Sequence, residues 1–222
     1  MKQALILGAT GLVGQHVLQL LLTDNNYDKV TILVRDPVSM THPKLVSIVL
    51  DDFSKMADME EVFAVDDVFC CLGTTIKKAR TKEKFKQVDF SFPLLAAQMS
   101  KAMKAKRFLL VSALGANASS SVFYNRVKGE LEKAVQELNL PSFLIFRPSL
   151  LLGPRKEFRL GERLAGWITQ PLSFLFAGAL AKYRPIDAGD VAKAMALMAQ
   201  TFLPGTHIFE NNQMHIMLES RK

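Results

Sequence analysis

The 222-residue chain has two cysteines, one tryptophan and three tyrosines, and these scarcities narrow the reading first. The cysteines are neighbours, Cys70 and Cys71, inside the apolar run VFCCLG. On a strand they point to opposite faces and cannot form an ordinary disulfide with each other. A disulfide-built scaffold is therefore excluded, and packing in a reducing compartment, the cytoplasm, is expected. Glycine (12) and proline (9) are sparse and no low-complexity run occurs, while 49% of residues are hydrophobic, which excludes a disordered or fibrous chain. Acidic charge is short by seven: 28 Lys and Arg stand against 21 Asp and Glu. That balance permits an anionic ligand, but nucleic acid is not expected. The densest basic stretches, IKKARTKEKFK (76–86) and KAMKAKR (101–107), lack the aromatic interleaving of a strand-binding surface and read as solvated faces.

Long apolar runs are nearly missing too. The stretch LAGWITQPLSFLFAGALA (164–181) has 18 residues without a charge, close to the lower limit for crossing a bilayer. Pro171, with Thr169, Gln170 and Ser173 around it, argues instead for helices broken at the proline and packed on a core or lining an apolar pocket. No membrane span is expected. The start of the chain has one lysine before ALILGATG, too short and glycine-broken for the usual signal peptide, so no export is expected.

Apolar runs alternate with amphipathic stretches. Strands are predicted at 3–8, 29–35, 45–51, 67–73, 107–113 and 142–148, and helices at 12–22, 88–105 and 124–138. The strand runs are rich in Val, Leu, Ile and Phe without strict polar alternation, as in strands buried on both faces. The pattern predicts an α/β chain with a doubly wound parallel sheet, folded as one domain over 1–222. Residues 1–148 form its core, and the irregular 149–222 supply a small substrate-side part, including a helix over 188–200 that Asp190 helps to start.

GATGLVG (8–14) sets Gly8, Gly11 and Gly14 in G-x-x-G-x-x-G spacing between the first strand and the first helix. Glycines suit a tight turn, close backbone approach to a pyrophosphate, and tight packing of helix on sheet. The helix N-terminus then offers free N–H groups and a positive dipole end to phosphate. Thr10, Leu12 and Val13 belong to the same turn, and together they predict dinucleotide binding. Arg35 ends the second strand, where an acidic residue would meet the ribose hydroxyls of NAD. A guanidinium suits a 2′-phosphate, so NADP(H) is preferred and NAD(H) is possible; a surface pair with Asp36 is the plainer alternative. Asp52 and Phe53 are placed either to meet an adenine or to form a strand-end turn. Leu72, Gly73 and Thr74 follow the fourth strand at the carboxyl edge of the sheet, where ligands of such folds bind.

On a helical wheel Val127, Leu131, Ala134, Val135 and Leu138 form one stripe, with Arg126, Glu130, Lys133 and Glu137 opposite. Lys128 lies in the apolar sector beside Tyr124. One reading is a snorkelling lysine, or a loose pair with Glu132 contributing about 0.2–0.5 kcal/mol. The other is that Lys128 faces a cofactor and stabilises Tyr124 as a phenolate for proton exchange with a substrate oxygen. Ser112, twelve residues before Tyr124, is placed to hydrogen-bond that oxygen, with Ser119, Ser120 and Ser121 competing for the role.

These motifs, GATGLVG, CLGTT, VSALGA, YNRVK and FRPSLLLG in that order, resemble a short-chain dehydrogenase/reductase. More narrowly, CLGTT with VDF, VSALGANASSS and FRPSLLLGPR resembles the atypical subgroup that includes the Tat-interacting protein. The resemblance implies a Rossmann fold, an NADP(H) cofactor, and Tyr124 with Lys128 as the catalytic pair. It also implies that Lys128 meets the nicotinamide ribose and that backbone around Pro148 and Ser149 meets the carboxamide. Ser112-Ala113 departs from the consecutive serines of many relatives. The expected function is an NADP(H)-dependent oxidoreductase acting on a small, partly apolar carbonyl or alcohol. The alternatives are a catalytically weak NADPH-binding sensor or partner-binding protein, and a nucleotide-sugar epimerase. A monomer or homodimer is expected.

Overall fold

A computed structural model of the chain describes residues 1–153 and 183–219. The apolar stretch 164–181 lies outside the described residues. Among the described residues no helix is long and apolar enough to cross a membrane.

The core is a parallel sheet of seven strands: β1 (Lys2–Leu7), β2 (Tyr27–Val34), β3 (Leu45–Val49), β4 (Asp67–Cys70), β5 (Arg107–Val111), β6 (Ser142–Arg147) and β9 (Gly205–Glu210). Their order is β3-β2-β1-β4-β5-β6-β9, so the chain reverses its direction of travel between β1 and β4. β1 explains why apolar runs without alternation become strands here. Ala4 and Ile6 pack into one core layer and Leu5 and Leu7 into the other, all four fully buried. Cys70 and Cys71 divide the same way between the two layers, and both are free thiols.

Helix α1 (Leu12–Thr23) and the helix Ala188–Met198 cover one face, with Val13, Val17, Leu21, Val191 and Met195 buried. On the other face lie α4 (Phe92–Ala102) and α5 (Phe123–Gln136), burying Ala96, Ala97, Leu131 and Val135. Sequence periodicity places six strands within a few residues of their observed positions and misses β9, which is half-exposed and short of a continuous apolar run. The helix predicted over 88–105 forms, but it starts earlier and changes pitch: after a short helix α2 (Ile76–Ala79), α3 (Lys82–Lys86) runs through a π turn (Gln87–Ser91) into α4, which ends at Ala102. The helix Ala188–Met198 is capped by Asp187, whose side chain accepts the Gly189 N–H at 2.7 Å; Asp190 sits in its first turn and pairs with Lys193 at 2.9 Å.

A small second sheet joins β7 (Leu151–Leu152) to β8 (Ile186–Asp187). Buried Asn211 ties the same two segments together, accepting the Ser149 N–H at 3.0 Å and donating to the Arg184 carbonyl at 2.8 Å.

Candidate active site

The reversal between β1 and β4 opens a crevice at the carboxyl ends of the strands, the place where doubly wound sheets bind ligands. The glycine turn sits in it. Gly8 has φ +81°, and a Cβ there would lie 2.6 Å from the Cys71 carbonyl oxygen, so only glycine fits where the end of β1 meets the end of β4. A Cβ on Gly14 would lie 2.1 Å from the Gly8 carbonyl oxygen, which fixes how closely α1 approaches the strand. Gly11 is the N-cap of α1 with no side-chain cap, and no acidic residue stands in the first turn. The free N–H groups of that turn are thus open to an anion. Thr10 and Gly11 are exposed, Leu12 is half-buried, and Val13 and Gly14 are buried.

Arg35 follows β2 and is exposed; among the described residues it makes no ion pair, with Asp36 or any other group. Asp52 and Phe53 take different parts. Asp52 caps a 3-10 turn by accepting the Ser54 N–H at 2.9 Å, which holds its carboxyl below the usual range. Phe53 is buried against Phe92, ring centroids 5.8 Å apart, and belongs to the core. The pair forms the strand-end turn that the sequence held open as an alternative.

Helix α5 carries the central residues. Val122 precedes it with no side-chain cap of its own, and its N–H donates to Ser120 Oγ at 3.1 Å. The loop 117–121 is pressed onto the helix at Gly129, where a Cβ would lie 2.2 Å from Ala118 N and from the Asn117 carbonyl carbon. Arg126 steadies the same loop by donating to the Ser120 carbonyl at 2.8 Å. Tyr124 is half-buried and packs on Phe85 of α3, centroids 5.6 Å apart. Lys128, one turn further, is 3% exposed.

A buried lysine needs a partner, and the partner is Asp89, not Glu132. Lys128 Nζ lies 2.8 Å from Asp89 Oδ1. Asp89 comes from the π turn, is itself fully buried, and its Oδ2 accepts the Thr74 N–H at 2.8 Å. Burial pushes the Lys128 ammonium down, but Asp89 and Tyr124 together outweigh it and raise it to about 12. Lys128 is therefore a fixed cation at neutral pH. Gly73 lies over the pair: a Cβ there would be 3.4 Å from Asp89 Oδ1 and 3.8 Å from Lys128 Nζ. Asp89 thus joins Lys128 to the turn at Gly73 and Thr74, with Tyr124 one helical turn before Lys128. Asp89 is the residue that sequence reasoning missed. Its one signal is an acidic residue between Val88 and Phe90 in an otherwise apolar helix start.

Ser112 is placed differently. It is buried, and its hydroxyl donates to Glu132 Oε1. Glu132 also takes two bonds from Arg147, Nε at 3.1 Å and Nη2 at 2.5 Å, and Arg147 reaches Glu210 at 3.0 Å. The Ser112 hydroxyl is held in a network joining β5, α5, β6 and β9. Ser119 and Ser121 are exposed, and Ser120 is engaged with Val122. Pro148 is buried and its carbonyl accepts the Leu114 N–H at 2.8 Å; the Ser149 N–H is given to Asn211 and its hydroxyl to the Arg184 carbonyl at 2.6 Å. A cavity of about 490 Å³ opens elsewhere, lined by Arg184, Asp187, Asp190, Lys193, His215 and Glu219, and contains none of the candidate catalytic or cofactor-binding residues.

Comparison with known proteins agrees with this fold. Residues 8–160 match the family described as NAD(P)H-binding. The protein HTATIP2 of Rattus norvegicus is 40% identical over 167 residues, 74% of this chain and 69% of its own length. The mitochondrial protein FMP52 of Candida albicans is 36% identical over 205 residues, 90% of this chain and 89% of its own. Among solved structures, Bordetella bronchiseptica WbmH in complex with NAD+ superposes with a TM-score of 0.69 at 18% identity, covering 95% of this chain and 75% of that one. MoeE5 in complex with UDP-glucose and NAD gives 0.70 at 13% identity, covering 99% and 82%. These distant structures share the fold. The chain belongs to the NAD(P)H-binding family, within the atypical short-chain dehydrogenase/reductase subgroup that includes the Tat-interacting protein HTATIP2 and the FMP52 proteins.

Proposed function

We propose that the protein is an NADP(H)-dependent oxidoreductase acting on a small, partly apolar carbonyl or alcohol, with Tyr124 handling the proton. The observation that carries this reading is Lys128: a buried, fixed ammonium on the inner face of α5, one turn from a phenol and under the turn that follows β4. A lysine in that place has no packing advantage over leucine, so its charge is what the position uses.

The glycine cradle and the uncapped start of α1 suit a pyrophosphate, and Arg35, without an ion pair among the described residues, suits a 2′-phosphate. NADP(H) is thus preferred over NAD(H). The nicotinamide supplies the hydride. Lys128, with two N–H directions left beyond Asp89, bonds a ribose hydroxyl and lends positive charge to Tyr124, whose hydroxyl passes its proton to the substrate oxygen.

One observation favours a second reading, an NADPH-binding sensor with little turnover. The Ser112 hydroxyl is committed to Glu132 and its neighbour is Ala113, so the serine first expected to polarise a carbonyl is already engaged. The two readings separate in one experiment. NADPH raises the melting temperature in both, but only the oxidoreductase consumes NADPH with a panel of aldehydes and ketones. Tyr124→Phe is expected to cut that turnover about 10²–10⁴-fold while leaving the NADPH-induced shift in place. Tight NADPH binding with no turnover across the panel selects the sensor, and no melting shift with either nucleotide rejects both.

A further inference from the structure

We propose that Asp89 is a positioning residue for Lys128, a carboxylate built into the site to clamp the ammonium against the Gly73–Thr74 turn. The proposal rests on the reading of Tyr124 and Lys128 as the proton-handling pair.

Both side chains are almost wholly buried, 4% exposed for Lys128 and 1% for Asp89, and their charged atoms lie 2.8 Å apart. Oδ2 accepts the Thr74 N–H at 2.8 Å, while Oδ1, with no hydrogen-bond partner among the described residues, faces the ammonium as a close ion pair. One residue thus links the turn after β4 to the helix that carries Tyr124. Gly73 leaves room for the arrangement, since a Cβ would already stand 3.4 Å from Oδ1. The backbone that delivers Asp89 is itself unusual. It lies in a π turn between α3 and α4, a rare geometry that recurs at functional sites.

The charged and titratable groups facing Lys128 are few: Asp89 from the π turn, Tyr124 from its own helix, and the Cys70 thiol from β4. Burial pushes the Cys70 thiol up to about 12, so it brings no charge in the working range. Asp89 is therefore the one acidic charge among the described residues that offsets the desolvation of Lys128. Without it, a buried amine in this place sheds its proton more easily. Asp89 also restrains the ammonium to one direction, so that its other N–H groups are presented ready for a ligand, and it balances the cation felt by Tyr124.

The test uses the full chain with ¹³Cε-labelled lysine, the Lys128 signal being assigned by its loss in Lys128→Met. In the protein as it stands, that signal is expected to keep its ammonium form up to about pH 12. In Asp89→Asn it is expected to titrate lower by on the order of 1–3 units, as when an adjacent opposite charge is removed. NADPH affinity provides the second readout. It is expected to weaken by about tenfold between neutral pH and ~pH 10 in Asp89→Asn, beyond any change in the unaltered protein, and to recover in Asp89→Glu. A Lys128 signal that titrates at the ordinary lysine value in the unaltered protein overturns the proposal even if Asp89→Asn fails to fold. Equally, an unchanged titration in Asp89→Asn, or affinity profiles that coincide, overturns it. If the unaltered protein binds no NADPH, the proposed function falls, whereas the lysine titration still reports on the clamp.

Discussion

Two residues carry most of the chemistry proposed here, and each owes its character to its surroundings. Arg35 is a cation without a partner among the described residues; Lys128 is a cation with a dedicated one. If Arg35 bonds a 2′-phosphate, Arg35→Ser should weaken NADPH binding by about tenfold or more, the worth of one charged hydrogen bond of about 1.5 kcal/mol, and leave NADH binding nearly unchanged. Titration calorimetry with both nucleotides checks this. Lys128 makes a pH prediction. Its proton affinity is higher in the folded chain, about 12 against an ordinary 10.5, because Asp89 and Tyr124 outweigh the effect of burial. A group raised in this way contributes stability that is complete below its unfolded value and is lost as the pH rises through the folded one. The stability difference between the protein and Lys128→Met, followed by urea unfolding, should therefore hold steady to about pH 10 and shrink between 10.5 and about 12.

At the scale of elements, the site depends on three close approaches that a methyl group would break. Gly8 and Gly14 bring α1 down onto the ends of β1 and β4, and Gly129 brings the loop 117–121 onto α5. The loop matters because it lies between β5 and α5 and delivers the chain to Tyr124. Gly129→Ala places its Cβ 2.2 Å from backbone that has no flexible side chain to yield. Such overpacking costs about 1–3 kcal/mol. We expect a loss of that size in denaturant unfolding, together with a marked fall in any NADPH-dependent turnover as Tyr124 shifts. The helix N-termini show a division of labour as well. The helix Ala188–Met198 has a side-chain cap in Asp187, whereas α1, facing the crevice, has none. An uncapped terminus leaves donors for a ligand.

Across the whole molecule, stability and chemistry sit at opposite ends of the sheet. The carboxyl ends of the strands hold the candidate site. The amino ends hold a buried network formed by Lys2, Tyr27, Asp67 and Arg107, the opening residues of β1, β2, β4 and β5. Asp67 is fully buried; it accepts from the Tyr27 hydroxyl at 2.5 Å and from Arg107 Nη1 at 2.6 Å, and Lys2 Nζ lies 3.4 Å away. Burial, then Asp67, raises the Tyr27 phenol far above its usual range, so it remains a donor. Asp67→Asn leaves Arg107 buried without its charge partner, which should cost about 3–5 kcal/mol. Nucleotide affinity measured well below the melting temperature should not change, because the network lies across the sheet from the glycine turn. A loss of affinity without a loss of stability would show that the two ends are coupled.

The alternation of apolar runs and amphipathic stretches by itself determined the parallel sheet, the position of the glycine turn and the inner face of α5, because all three follow from local periodicity and from what glycine permits. It also placed Tyr124 and Lys128 on one side of a helix. Tertiary structure decided who their neighbours are. Asp89 precedes Lys128 by 39 positions and meets it only because a π turn and the turn after β4 fold over the same crevice. The Ser112 hydroxyl turns inward because Glu132 and Arg147, from two other elements, form a charged network that needs one more donor. Phe53 goes to the core because Phe92 offers a ring to pack against. Periodicity reports which face of an element is buried, but the partner of a buried charge is chosen by packing between elements distant in the chain.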